Sequence, residues 1–255
     1  MDGPRRISAR RKIGGGIATA AVIALAAAPI VNAANTQTVK ATFAPSKVPK
    51  KNYAPGSINV VTTTGTTSGT VVATSRAQIF FDDDLKFDTK NVARCPKSKL
   101  NGTTTQQAKN ACKSAIVGSG SASVAIGGNP ASPTPAVITA FNGPPSGGKP
   151  TIFLHSRSDQ LALTTILTGV LRGSSSGDFG SKLDVSVPPL PFASAILRFQ
   201  TKVQKKYKVK GKQHSYVSAR CHDNNKVWNV KGIFTYAAPE PTKTVTAKQS
   251  CKVKQ

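Results

Sequence analysis

Apolar and polar residues alternate with a period of two between Ile196 and Tyr236, and this pattern limits the fold of the chain more than any other feature. Successive side chains of a β-strand point to opposite faces, so the alternation predicts half-buried strands. Turn residues divide the stretch at Val209-Lys210-Gly211 and at Asn224-Asn225, which predicts three strands with one shared apolar face. The expected apolar positions are Leu197, Phe199, Val203, Tyr207, Val217, Ala219, Cys221, Trp228, Val230, Phe234 and Tyr236.

The first turn sets the register of the hairpin around it. A three-residue loop with Gly211 in the left-handed position would place Val203 opposite Val217. A two-residue loop, Lys210-Gly211, would shift the register by one and mix the two faces, so we expect the three-residue loop. The face opposite the apolar one then forms a basic stripe, which is either a binding surface or a solvated sheet face: Arg198, Lys202, Lys206, Lys208, Lys212, His214, Tyr216 and Arg220.

Residues 1–33 have the organisation of a secretory signal peptide. Five cationic residues precede an uncharged, Ala-rich run from Ile13 to Val31, and Val31-Asn32-Ala33 places small residues at the cleavage site. We expect cleavage after Ala33 and a single domain over 34–255, with a retained membrane anchor as the alternative. Arg10-Arg11 resembles a twin-arginine signal, but the surrounding residues favour Sec export.

The chain is strongly basic. Without residues 1–33 it keeps 30 Lys/Arg against nine Asp/Glu, a formal net charge of +21, and 24 of the cations are Lys. A Lys-rich excess behaves as a diffuse field, whereas specific phosphate sites favour the bidentate fork of Arg. This composition predicts attraction to anionic surfaces. Nucleic acid is not an expected partner of an exported protein.

Four cysteines in an exported chain predict two disulfides, with three pairings open. Cys95 precedes the expected helix that carries Cys112, which favours that local pair and leaves Cys221 with Cys251. A regular meander with Phe234 opposite Val245 would hold the latter pair about 10 Å apart, beyond the ~4.4–6.8 Å that a disulfide spans. We therefore expect the chain after Pro241 to peel away, cross to the other sheet or curl at its end.

The rest of the chain predicts more short strands and one helix. Thr103–Ala115 is the expected helix, with a capping box formed by Thr104 and Gln107. The fold class is all-β: an antiparallel β-sandwich-like domain of about 11–12 strands with one short disulfide-tethered helix. The remaining strands are expected at 34–42, 58–64, 76–81, 119–126, 136–141, 150–155, 161–171 and 182–187.

No motif fixes a catalytic site. Asp82-Asp83-Asp84 with Asp88 lacks the spacing of a calcium loop and predicts a solvated turn. Three histidines occur, but no Gly-x-Ser-x-Gly elbow accompanies them, and His222-Asp223 beside Cys221 favours a hairpin tip over a reactive site. Gly-rich phosphate loops and Cys/His zinc spacings are absent from the sequence, so no cofactor or metal is expected.

Several short segments of the chain form a combination that is distinctive when taken together. The segments are Cys95-Pro96 with Leu100, Ala108, Cys112, Ala115, Val117-Gly118, Phe141-Asn142-Gly143, Lys208 to Lys212, Ser218-Ala219-Arg220-Cys221 and Trp228-Asn229-Val230-Lys231-Gly232. This combination resembles a group of exported actinobacterial proteins. The resemblance covers nearly all of residues 34–255 and implies an exported all-β domain with paired cysteines, without implying an activity. The chain departs from the group at Pro239-Glu240-Pro241, where a Gly-containing turn is expected.

These features favour a secreted, non-enzymatic protein that binds an anionic polymer of the cell envelope weakly through the basic stripe. Two rival functions stay open. A hydrolase would need converging carboxylates or a Ser/His pair in a pocket, and a carrier of an apolar ligand would need a cavity between the sheets.

Overall fold

The computed structural model describes residues 35–67, 69–222 and 226–254. They fall within one compact unit. The expected signal peptide, 1–33, lies outside the described residues. Among those described, no helix has the length and apolar character needed to cross a membrane.

The fold is mostly antiparallel β, as the alternation predicts. Eleven of the described strands have eight residues or more and form the body of the domain. The strands are β1 (Asn35–Ala44), β2 (Lys47–Val48), β3 (Ala54–Thr66), β4 (Thr74–Asp82), β5 (Leu85–Phe87), β6 (Ile116–Ala125), β7 (Thr134–Ser146), β8 (Lys149–Ser158), β9 (Leu163–Ser176), β10 (Phe179–Ser186), β11 (Ala195–Val203), β12 (Lys206–Val209), β13 (Lys212–Ser215), β14 (Val217–Ala219), β15 (Val227–Tyr236), β16 (Lys243–Ser250) and β17 (Lys252–Val253).

Most strands belong to one long sheet in the order β16-β15-β4-β10-β9-β8-β7-β6-β11-β3-β14-β5, with β1 also paired to β3. The sheet folds over, so that β1 lies against β16. The Gln249 side chain joins these two strands by accepting from Phe43 N at 2.6 Å and donating to Phe43 O at 2.9 Å. The inward faces of the two halves therefore pack on each other, and the sandwich-like fold class is confirmed.

The main core lies between these inward faces. Along β15 every second residue is buried, from Trp228 to Tyr236, as predicted. Trp228 packs edge-on against Phe43, with ring centroids 5.1 Å apart, and its indole N–H donates to Arg220 O at 2.8 Å. The ring thus fills the core while its one polar atom is satisfied.

One α-helix, α1 (Thr105–Ala111), packs on the outside of β7 and β8. The predicted capping box is present: Thr104 Oγ1 accepts from Gln107 N, and the Gln107 side chain accepts from Thr104 N. The disulfide between Cys95 and Cys112 closes this segment, so the disulfide-tethered helix is confirmed. A second small core lies beneath it, formed by Cys95, Leu100, Ala108, Cys112, Ala115, Phe141 and Phe153.

The expected three-residue hairpin loop is wrong. β12 and β13 pair with Val209 opposite Lys212, which leaves the two-residue loop Lys210-Gly211. Both loop residues have positive φ, 48° and 76°, as in the primed turns whose twist matches that of the flanking strands. The sequence predicts that this register would mix apolar and polar faces along a long hairpin. No long hairpin forms, because the ribbon has only four residues in each strand and β11 pairs instead with β3 and β6.

The C-terminal strand stays in the sheet for most of its length. β16 continues regularly from β15, with Phe234 opposite Lys243, so the chain neither peels away nor crosses over directly after Pro241. It turns away only at its end, where β17 pairs with β2. The strand that leaves is β14, which pairs with β3 and β5. The predicted disulfide between Cys221 and Cys251 is present, because Cys221 does not follow a strand that neighbours β15.

Candidate functional site

The structure distributes the predicted basic stripe over three places. Arg198 and Lys202 are exposed on β11, where strand partners on either side carry Ser and Thr or Asn side chains. Arg198 donates to Gln200 Oε1 at 2.9 Å on the same face. These two cations therefore lie on a polar outer surface, as the alternation predicts.

The two-stranded sheet β12–β13, here called the basic ribbon, follows directly from β11. Lys206, Lys208, Lys210 and Lys212 are all exposed on it. Residues directly opposite each other in an antiparallel pair share a face. The observed register therefore puts Lys206 and Lys208 on one face and Lys212, with His214, on the other.

An aromatic contact supports the ribbon from one side. The rings of Tyr207 and His214 stack at 5.8 Å with an interplanar angle of 12°. The Tyr207 hydroxyl donates to Asp88 Oδ2 at 2.5 Å. Burial, and to a lesser extent this hydrogen bond, raise the pKa of the tyrosine above its ordinary value. The contact ties the ribbon to the loop after β5, so its lysines project from a fixed support.

Tyr216 does not belong to the basic stripe, contrary to the prediction. Its side chain is fully buried, and its hydroxyl donates to Asn142 Oδ1 at 3.1 Å. The amide of Asn142 in turn donates to the carbonyl oxygens of Thr89, Val92 and Ala93. Tyr216 is therefore part of a buried polar network that holds the segment before Cys95.

Arg220 is likewise a structural residue rather than a free cation. Its Nε donates to Asp84 Oδ1 at 2.6 Å, and its side chain is only 25% exposed. The guanidinium also lies 5.1 Å from the centroid of the Tyr53 ring. Its charge is thus neutralised locally.

The expectation of a solvated turn at the aspartate cluster is wrong for two of the three consecutive aspartates, Asp82-Asp83-Asp84. Asp82 and Asp84 are buried, and only Asp83 is exposed. Burial raises the pKa of Asp82 to about 6, against the opposing effect of two backbone N–H donors. The four side-chain oxygens of Asp82 and Asp84 accept from Asp84 N, Asn229 N, Arg220 Nε and His222 N.

These hydrogen bonds indicate that the aspartates have a structural role and do not form a cation site. The three carboxylates lie close enough together to consider a cation, with ligand oxygens within 4.8 Å of one another. However, each oxygen of the two buried members already accepts from a protein N–H, and such bonds stabilise ionised carboxylates without a metal. The cluster therefore joins the β4–β5 turn to the end of β14 and to β15.

The three histidines lie in separate surroundings. His155 is buried beneath the segment before α1, with Nε2 3.1 Å from both the carbonyl and hydroxyl oxygens of Thr103, and burial lowers its pKa. His214 stacks on Tyr207, and His222 N donates to Asp84.

Two internal cavities form a site that the sequence analysis did not find. The larger has a volume of about 110 Å³ and lies between the inward faces of β3 and β11 and those of β4, β8, β9, β10 and β15. The smaller, about 50 Å³, shares Leu167, Ile196 and Phe199 with it. At ~24 cal/mol per Å³, leaving the larger cavity empty costs on the order of 2 to 3 kcal/mol. No local motif could reveal it, because its lining comes from seven strands.

Comparisons with family models, with curated proteins and with solved structures gave no match for this chain.

Proposed function

We propose that the protein is exported and binds anionic polymers of the cell envelope weakly, through the basic ribbon together with Arg198 and Lys202 of β11. One observation carries this proposal. Four exposed lysines project from a small two-stranded sheet that is separate from the main sheet. Within the described residues, no carboxylate lies within 4 Å of any of them.

The position of these cations favours a linear polymer over a small anion. Lys206 and Lys208 lie on one face of the ribbon and Lys212 lies on the other. Arg198 and Lys202 lie within the preceding strand, β11. A compact phosphate site would need several donors converging on one point, often from Arg. Charges spaced along two consecutive strands instead match charges spaced along a chain.

The strength of such binding follows from solvent exposure. Each exposed pair is worth only about 0 to 1 kcal/mol, and the field fades over ~8 Å at physiological salt. Binding should therefore be multivalent and sensitive to ionic strength. Export is supported by the two disulfides, because such bonds persist in oxidising compartments.

A charge-reversal experiment tests the proposal. The variant Lys202→Glu/Lys206→Glu/Lys208→Glu is compared with Lys97→Glu/Lys149→Glu/Lys248→Glu, which makes the same change in net charge at dispersed, exposed positions. Arg220 is left intact because its loss would uncouple Asp84. Retention on isolated cell envelopes, and on immobilised long-chain polyphosphate, is measured at rising salt after folding is confirmed by circular dichroism.

The clustered variant should elute at much lower salt than the wild type, and the dispersed variant at only slightly lower salt. Equal losses in the two variants would mean that net charge alone governs retention, and would remove the ribbon as the site. Retention of the wild type that does not fall with salt would also contradict the proposal.

A further inference from the structure

We propose that the larger internal cavity binds a small, mostly apolar molecule with one hydroxyl or carbonyl oxygen, such as a short aliphatic alcohol. Apart from four threonines, the lining is aliphatic and aromatic: Val60 and Phe199 from one half of the sheet face Leu154, Leu183 and Val185 from the other. This inference is independent of the basic ribbon.

The volume limits the ligand. About 110 Å³ is somewhat less than the ~150 Å³ of a dry, apolar cavity that admits benzene or xenon. The larger cavity therefore holds about one ring or a short alkyl segment. Because the two cavities share Leu167, Ile196 and Phe199, the ligand can extend toward the smaller cavity by a repacking of Ile196 and Phe199.

One buried hydroxyl without a hydrogen-bond partner in the lining indicates that the ligand also carries oxygen. Thr201 lies between Phe199 and Val203 on the inward face of β11 and is only 6% exposed. Its Oγ1 is buried and has no hydrogen-bond partner among the described residues. Buried hydroxyls in proteins are nearly always hydrogen-bonded, so a ligand oxygen beside Thr201 would supply the hydrogen-bond partner that its Oγ1 lacks.

The smaller cavity provides a route to solvent. Its lining includes Leu161, which is 36% exposed, and Leu190-Pro191, next to Phe192, which is 66% exposed. Three non-glycine residues with positive φ occur in these two segments, Ala162 at 50°, Phe192 at 57° and Ala193 at 47°. Such conformations are unfavourable for residues with a Cβ and are typical of ligand clamps and moving segments.

An isosteric pair of probes tests the proposal on the full chain. Hexan-1-ol and heptane differ by a hydroxyl in place of a methyl group. Binding is followed from the ¹H–¹³C methyl resonances of Val60, Leu154, Leu183 and Val185. The wild type should bind both probes, and its affinity for hexan-1-ol should exceed the value expected from the transfer of hexan-1-ol out of water. Thr201→Val should lower the affinity for hexan-1-ol relative to that for heptane by about fivefold to tenfold, which corresponds to the loss of one hydrogen bond.

A cavity-filling variant gives the second arm. Ala77 lines the cavity between its strand partners Val185 and Phe234, so Ala77→Leu should fill the cavity, raise the melting temperature and weaken the binding of both probes at least tenfold. Ala131→Leu, in an exposed loop, is the matched control and should leave binding unchanged.

The proposal is overturned if the wild type shows no methyl shifts with either probe up to the solubility limit of the probe. It is also overturned if folded Ala77→Leu binds as the wild type does. If Ala77→Leu fails to fold, the test rests on Thr201→Val, which keeps the volume of the side chain. An unchanged affinity for hexan-1-ol relative to heptane in that variant would then overturn the proposal.

Discussion

Cys221 and Cys251 are joined by a disulfide with their Cα atoms 5.9 Å apart, although they follow strands at opposite ends of the main sheet. β14 is next to the last strand at one end, and β16 is the terminal strand at the other. The parallel pair formed by β2 and β17 lies beside this bond, with Lys252 opposite Lys47. The disulfide thus fixes the folding-over of the sheet as well as a local loop.

Removing this disulfide should destabilise the protein. Loop-closure entropy for a separation of 30 residues predicts a loss of about 3 to 4 kcal/mol in the free energy of unfolding for Cys221→Ala/Cys251→Ala. The 17-residue loop of Cys95 and Cys112 predicts about 3 kcal/mol. Urea denaturation followed by circular dichroism measures both, and a negligible effect of the first pair would contradict its role in closing the sheet.

The Arg220–Asp84 pair should contribute more than a surface ion pair. Arg220→Ala leaves Asp84 buried with an unpaired oxygen and should cost about 2 to 3 kcal/mol, less than a fully buried pair because Arg220 is a quarter exposed. Arg76→Ala, which breaks a pair with Asp184 in which the arginine is half exposed, should cost about 1 kcal/mol or less. Similar losses for the two variants in urea denaturation would contradict this ranking.

Asp82 should titrate with a pKa of about 6, observable from its carboxyl ¹³C resonance. Its ordinary pKa is 3.8, so between these values the folded state binds more protons than the unfolded state, and the contribution of Asp82 to stability falls as pH rises. Relative to Asp82→Asn, the wild type should lose on the order of 2 to 3 kcal/mol between pH 4 and pH 7. A pH-independent difference between the two proteins would show that burial does not control this carboxyl.

Tyr216 should affect stability and not polymer binding. Tyr216→Phe removes the hydroxyl that donates to Asn142 and should cost about 1 kcal/mol in the free energy of unfolding. Retention on cell envelopes should stay at the wild-type level, because the ring is fully buried. A lower salt of elution for this variant would restore Tyr216 to the binding surface.

The observed hairpin register gives a test at Lys210. In the two-residue loop this residue has a φ of 48°, a conformation that Gly adopts at no steric cost. Lys210→Gly should therefore stabilise the protein slightly, by up to about 1 kcal/mol. In the three-residue loop only Gly211 needs the left-handed region, and the same substitution would be neutral or destabilising. Thermal unfolding distinguishes the two registers.

The sequence by itself determined the local structure. Alternation over Trp228–Tyr236 predicts which side chains of β15 are buried, because the pleat of a strand imposes that period wherever the strand lies. The Thr104–Gln107 capping box and the Cys95–Cys112 pair are also local, since each joins residues that are close in the chain.

Only the tertiary structure decided which strands pair and which polar residues are buried. The strands of Val203 and Val217, β11 and β14, have apolar patterns that would allow them to pair with each other. Instead each of them pairs with β3, at different points along its length. Asp84 is buried because Arg220, 136 residues away, reaches it. Tyr216 is buried because Asn142 accepts its hydroxyl. A period of two fixes the direction of a side chain but not the surface that it meets, and that surface depends on contacts between residues far apart in the chain.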